Sequence, residues 1–260
     1  MPRLTLTALL AAVLALTGGA ACSQAAGELA TLHASFSPDR LGASTTIGFS
    51  FDLASGQGTA PPPLTALDLR IPAGMGYAST TLGLALCQPD ALIARGPGAC
   101  PANSRLGSGS ARVEVPFGAG AGREIPEIQA VAGPSAGGNL RVLFYANGLY
   151  PIDAQLAFEG EVLPDHGRYG SQLAANIPLV ASVAGGPDVS IVHAQVSLGP
   201  NHLTYYRHSH GRLIPFHPRG IAVPAGCPRG GFPFAATFTF QDTSTANAHT
   251  TVPCPTRHAR

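Results

Sequence analysis

Charge is what this chain has least of. Only 11% of its 260 residues are Asp, Glu, Lys or Arg, against about 25% in an average globular protein. So little charge excludes a self-repelling disordered chain and a solvated helical rod. Lysine is absent, and all fifteen basic residues are arginine, set against fourteen acids. With no basic surplus to release counterions from a polyanion, no nucleic-acid partner is expected. Catalytic signatures are missing as well. No His-Glu-x-x-His or phosphate-binding P-loop occurs. Gly107-Ser108-Gly109-Ser110 leads into a strand with no following Lys and reads as a turn. No Cys-x-x-Cys spacing is present, which argues against a zinc site built on cysteine. These absences point away from an enzyme and imply no cofactor. Long helices are unexpected too, because 32 Gly and 24 Pro, together about 22% of the chain, punctuate it into short segments.

What is present begins at the N-terminus. Met1-Pro2-Arg3 precedes an uncharged apolar run from Leu4 to Leu16, then the small residues Thr17 to Ala21 and Cys22. This is the layout of an export signal, and thirteen apolar residues fall short of the roughly 20 that a spanning helix needs. The uncharged stretch continues to Gly27, so an uncleaved N-terminal anchor is an alternative; no other uncharged run is as long. Gly19-Ala20-Ala21-Cys22 resembles a bacterial lipobox, in which the Cys is lipidated and becomes the mature N-terminus. It departs from that motif at Gly19, where an aliphatic residue is usual. Ordinary cleavage after Ala25, behind Ser23-Gln24-Ala25, is the alternative. Cysteine arithmetic favours the lipid: of five Cys, four form two local pairs and Cys22 is left over. The expected organisation is a signal peptide over 1–21, a tether over 22–27, and an extracytoplasmic body held to a membrane through the lipid.

An exported chain sits where disulfides persist. Twelve residues separate Cys87 from Cys100 and twenty-six separate Cys227 from Cys254. Four Cys allow three connectivities. The local pairing Cys87–Cys100 and Cys227–Cys254 is the simplest, because each pair brackets turn-rich sequence.

Period-two alternation marks the strands. In Thr45–Leu53, Ile47, Phe49, Phe51 and Leu53 share one face. Leu64–Ile71, Ser110–Val115, Asn139–Ala146, Val189–Leu198 and Phe234–Phe240 are further candidates, and Pro89–Ala94 fits a single short helical turn. The chain therefore reads as all-β, an antiparallel β-sandwich. Ile71-Pro72-Ala73-Gly74 before Cys87 and Val223-Pro224-Ala225-Gly226 before Cys227 suggest a repeat, with the Gly/Ser/Pro stretch Ala132–Gly138 between halves. Two Ig-like modules, 28–132 and 133–260, are expected; one larger sandwich with strands exchanged between halves is the rival.

Phe36-Ser37-Pro38-Asp39-Arg40-Leu41-Gly42 followed by a Thr-rich strand is similar to the opening of secreted Ig-like surface modules. Cys100-Pro101-Ala102-Asn103-Ser104-Arg105-Leu106-Gly107 resembles a Cys-Pro-x-x-Ser-x-aliphatic-Gly segment of exported β-sandwich (lipo)proteins of high-GC bacteria. The absence of Lys and the abundance of Ala, Gly and Pro suit such a genome. The resemblance covers roughly residues 30–115 and implies fold and location; it carries no activity and no catalytic residues.

Two groups of side chains invite a chemical reading. Glu124 with Glu127, and Glu159 with Glu161, are closely spaced carboxylates. Pro126 interrupts the first pair, and the second reads as one exposed strand face, so acid–base catalysis is not expected from either. On an extended strand, His208 and His210 would share a face about 6.5–7 Å apart, a spacing that suits zinc or copper. His202 and His217 could complete such a metal site; a polar loop whose histidines face water is the bland alternative. Three functions follow in order: an exported, lipid-tethered envelope protein with a structural or binding role; a His-cluster metal-binding protein; and an exported hydrolase with a loop-assembled site. For the first, the ligand is left open between an envelope protein and a glycan.

Overall fold

The computed structural model describes residues 27–57, 59–76, 83–117 and 120–255. The signal segment, Cys22 and the alternative cleavage site after Ala25 lie outside the described residues. The strands expected from alternation are present and, except for β10, longer than predicted: β2 (Ser44–Ala54), β3 (Leu64–Pro72), β4 (Arg105–Phe117), β7 (Asn139–Gly148), β10 (Ser190–Leu198) and β14 (Phe232–Phe240). To these the structure adds β1 (Leu29–Ser37), β5 (Gly120–Glu124), β6 (Glu127–Ala136), β8 (Ala154–Pro164), β9 (Tyr169–Asn176), β11 (Tyr205–Ser209), β12 (Arg212–Phe216), β13 (Ile221–Ala222) and β15 (Thr245–Val252). Several of these were hidden because their inward positions carry Ala, Gly, Ser or Glu, as in Tyr-Gly-Ser-Gln-Leu-Ala-Ala-Asn of β9, and such residues blur the hydrophobic alternation.

All ladders are antiparallel: thirteen strands form one sheet ordered β1-β2-β10-β4-β6-β7-β8-β9-β3-β14-β15, with β5 on β4 and β13 on β2, and β11 and β12 form a separate hairpin. The end strands β1 and β15 lie against each other, so the sheet rolls into a nearly closed barrel. Side chains seal the seam: Phe36 of β1 meets Phe232 edge-on at 5.3 Å and lies 5.9 Å from Phe234. All-β antiparallel architecture thus stands, but the two-module division at 132/133 is corrected. First-half β2 and β4 both pair with second-half β10, and β3 lies between β9 and β14. Neither half closes a sheet alone, because β3 has both its ladder partners in the second half and β2, paired with β1 on one edge, pairs with β10 on the other. The repeated Pro-Ala-Gly-to-Cys pattern is turn chemistry shared by two connections.

Inward and outward faces separate by parity around the whole ring. Phe51 pairs with Ala194, Ala194 with Ala111, Ile128 with Ala146, Leu69 with Leu173 and Phe238 with Ala246, and these side chains face the interior. The outer face of β1, β2, β10 and β4 carries Thr31, His33, Ser50, Asp52, Arg112 and Gln195. A membrane-spanning barrel shows the reverse arrangement, apolar outside. One patch of outer wall is covered: the helix α1 (Pro89–Arg95) sets Leu92 on Val131, Leu143 and Tyr145, beside the Cys87–Cys100 disulfide. The second disulfide, Cys227–Cys254, ties the approach to β14 to the end of β15. Both pairs are the local ones. Two disulfides are compatible with an extracytoplasmic location.

Candidate functional site: an apolar cavity with one buried carboxylate

The barrel interior is not completely filled. A cavity of about 150 Å³ is lined by Phe49 and Phe51 of β2, Leu67 of β3, Ala111 and Val113 of β4, Ile128 of β6, Phe144 and Ala146 of β7, Leu156 and Phe158 of β8, and Ala175 of β9. Ala194 and Val196 of β10 complete the ring, and Ile152, Ile177, Pro178, Leu179 and Val180 line it from the connections beyond the strand ends. A smaller void of about 50 Å³ lies toward the other end of the barrel, sharing Phe49 and Leu173 with the first. Small residues create the space. Ala146, Gly148, Ala154, Ala175 and Ala194 occupy inward positions where Leu or Phe would fill the interior. Empty cavities lined this way stay dry, and one of about 150 Å³ accepts a benzene-sized guest.

Among the described residues, the one ionisable group in this wall is Glu124. It stands opposite Val113 in the β4–β5 ladder, and β5 and β6 follow one register along β4, so Glu124 shares inward parity with Pro126, Ile128 and Ala130. It is 7% exposed. Its Oε1 accepts the backbone N–H of Tyr150 at 3.1 Å. Glycine at 148 makes room for the carboxylate, since a Cβ there would collide with Oε1. Arg123, its neighbour, points outward to Glu114 at 3.9 Å, so among the described residues no cation is paired with Glu124. A carboxylate can accept several hydrogen bonds, so this wall can receive a guest that donates one.

The carboxylates noted in sequence are now placed. Glu127 is exposed and pairs across to Asn147, so it and Glu124 lie on opposite faces of one wall. Glu159 meets Arg141 at 3.1 Å and Glu161 accepts from Asn139 at 2.9 Å, both on the outer face of β8. The signal that would have revealed Glu124 was available: Glu124, Pro126, Ile128, Ala130 and Ala132 alternate without a break. Treating Pro126 as a strand terminator obscured it, whereas the edge geometry between β5 and β6 tolerates proline.

The predicted histidine cluster does not assemble. His202 lies in a 3-10 turn, with Nδ1 2.9 Å from the Thr46 hydroxyl, which also bonds to Asn201 and the Gly199 carbonyl. His217 lies 3.2 Å from the Leu203 carbonyl. His208 is on β11, opposite Leu213, but the strand ends at Ser209, and His210 adopts a left-handed turn (φ 49°). The strand parity that placed both imidazoles on one face therefore stops one residue too early. Among the described residues no three His, Cys, Asp or Glu side chains gather to hold a metal. The hairpin is instead fastened by Tyr205, fully buried against Phe216, whose hydroxyl donates to the Arg105 carbonyl at 2.5 Å. Burial holds that phenol well above its ordinary range.

The His–carboxylate pair that does form, His193 Nδ1 to Asp52 Oδ1 at 2.9 Å, lies on the outer face beside Arg112 and the Thr31 hydroxyl. No serine hydroxyl is bonded to that imidazole among the described residues, so it lacks the nucleophile of a hydrolytic triad. Comparison with family models, curated proteins and solved structures finds no match.

Proposed function

We propose that this chain is an exported, non-enzymatic binding protein of the cell envelope, tethered through lipid on Cys22, whose barrel interior holds a small apolar ligand or the end of an acyl chain. The observation that carries the reading is the cavity of about 150 Å³, walled by aliphatic and aromatic side chains with Glu124 as its one carboxylate among the described residues. Concave, mainly apolar sites with a few placed polar groups are the usual form of small-molecule sites. The volume suits about six carbons, a ring or a short alkyl segment. The Glu124 carboxylate favours a hydroxyl or amine at the ligand's polar end and disfavours a second carboxylate through like-charge repulsion. The two disulfides and the lipobox-like Gly19-Ala20-Ala21-Cys22 support the envelope location.

Thermal unfolding with benzene, 1-hexanol and hexanoate tests the site. Benzene and hexanol should raise the midpoint, as any ligand that binds only the folded state does, and hexanoate should not. A midpoint unmoved by all three would overturn the binding role.

A further inference from the structure

The strand pairings place five connections at the cavity end of the barrel, the end where β1 begins. Leu29 pairs with Ala54, Gly148 with Ala154, Ala66 with Asn176 and Thr239 with Thr245, and Phe117 faces Gly120. Seven of the twelve exposed large apolar side chains of the described residues belong to this same end: Leu29, Phe117, Ile125, Leu149, Tyr150, Leu179 and Val183. Leu149 and Tyr150, 72% and 82% exposed, tip the connection between β7 and β8. Leu179 is exposed and also lines the cavity, so it links the outer apolar rim to the interior. We propose that this rim is a membrane-docking surface, seated in the interface of a lipid bilayer so that the cavity opens toward the acyl chains.

The inference rests on the lipid anchor at Cys22, and chain length makes the orientation specific. Six residues separate Cys22 from Leu29, a span of at most about 25 Å. The nine residues of β1 run about 30 Å the other way. The anchor therefore holds the rim at the bilayer and carries the opposite end, with its Arg207–Arg212 hairpin, away from it. Apolar burial drives the contact. The charged groups at this end include Glu28, Glu114, Glu124, Asp153, Asp188 and Asp242 against Arg123 and are mainly acidic, which excludes attraction to anionic headgroups as the source. Tyrosine at the rim suits an interface, where one end is apolar and the other wet.

The chain contains no Trp, so one introduced indole reports alone. The full chain, processed in its host and reconstituted into phosphatidylcholine vesicles with brominated acyl chains, would carry Tyr150→Trp, Leu179→Trp or, at the far hairpin, Ile214→Trp. The first two indoles should lose most of their fluorescence to bromine and the third should keep it, with no increase when phosphatidylglycerol is added. If the protein floats with the vesicles and the rim indoles stay bright, the docking surface is overturned while the anchor stands. Quenching at Ile214→Trp instead would overturn it in favour of the opposite end. Failure of the chain to float would overturn the anchor, and the docking surface with it.

Discussion

Ala146→Leu is the most direct probe of the interior. Ala146 lies between Ile128 of β6 and Leu156 of β8, and all three line the cavity. Leucine at 146 would add three carbons directed into the void. At about 0.8 kcal/mol per buried methylene the transfer gain is about 2 kcal/mol, and fixing the side chain's rotamers returns about 0.5–1 kcal/mol of that. The net expectation is a stabilisation of about 1.5 kcal/mol, or a rise in thermal midpoint of about 3–6 °C for a domain of this size. The same carbons occupy the ligand's space, so benzene and 1-hexanol should lose their effect on the midpoint. In a well-packed core the identical substitution would cost about 1–3 kcal/mol through overpacking. The assay is calorimetric unfolding of parent and variant, each with and without ligand. A variant less stable than its parent and still shifted by benzene would refute both the void and its use.

Other perturbations separate the barrel from its attachments. Replacing Cys87 and Cys100 by Ala opens a staple of sequence separation 13 and should cost about 3 kcal/mol in urea unfolding; because α1 covers the outer wall, benzene should still raise the midpoint. Burial first, and the Asp242 charge second, raise the Glu28 carboxyl above its ordinary 4.5. The folded state then holds that proton more tightly than the unfolded chain, so its contribution is complete below the unfolded pKa and fades as pH rises above 4.5; Glu28→Gln should flatten that decline in urea midpoints between about pH 4 and 7. Replacing His208 and His210 by Ala should change stability by no more than about 1 kcal/mol, and a chelator should leave the midpoint unchanged; a large chelator-dependent fall would reinstate a structural metal.

The strands with large apolar residues on one parity were legible in sequence. Phe49, Phe51 and Leu53, or Phe234, Phe238 and Phe240, could face only an interior, and a strand's period of two is local information. The two disulfides were legible for a similar reason: each closes a short, turn-rich segment, and local closure is the least demanding pairing. Beyond that, the chain alone could not show which strand lies beside which. The order that threads β10 between β2 and β4, and β3 between β9 and β14, depends on edges that no single segment specifies, and so two apparent modules became one barrel. The His208–His210 geometry failed for a local reason, a turn at His210 that parity does not foresee. The cavity is the clearest product of tertiary structure. Alanine and glycine at 111, 146, 148, 154, 175 and 194 are unremarkable one by one, and only when the rolled sheet turns all of them inward do their missing methyl and methylene groups add up to one space. Glu124 acquires its meaning in the same step, because a carboxylate is ordinary on a strand and becomes a recognition group when that strand's inner face encloses a void.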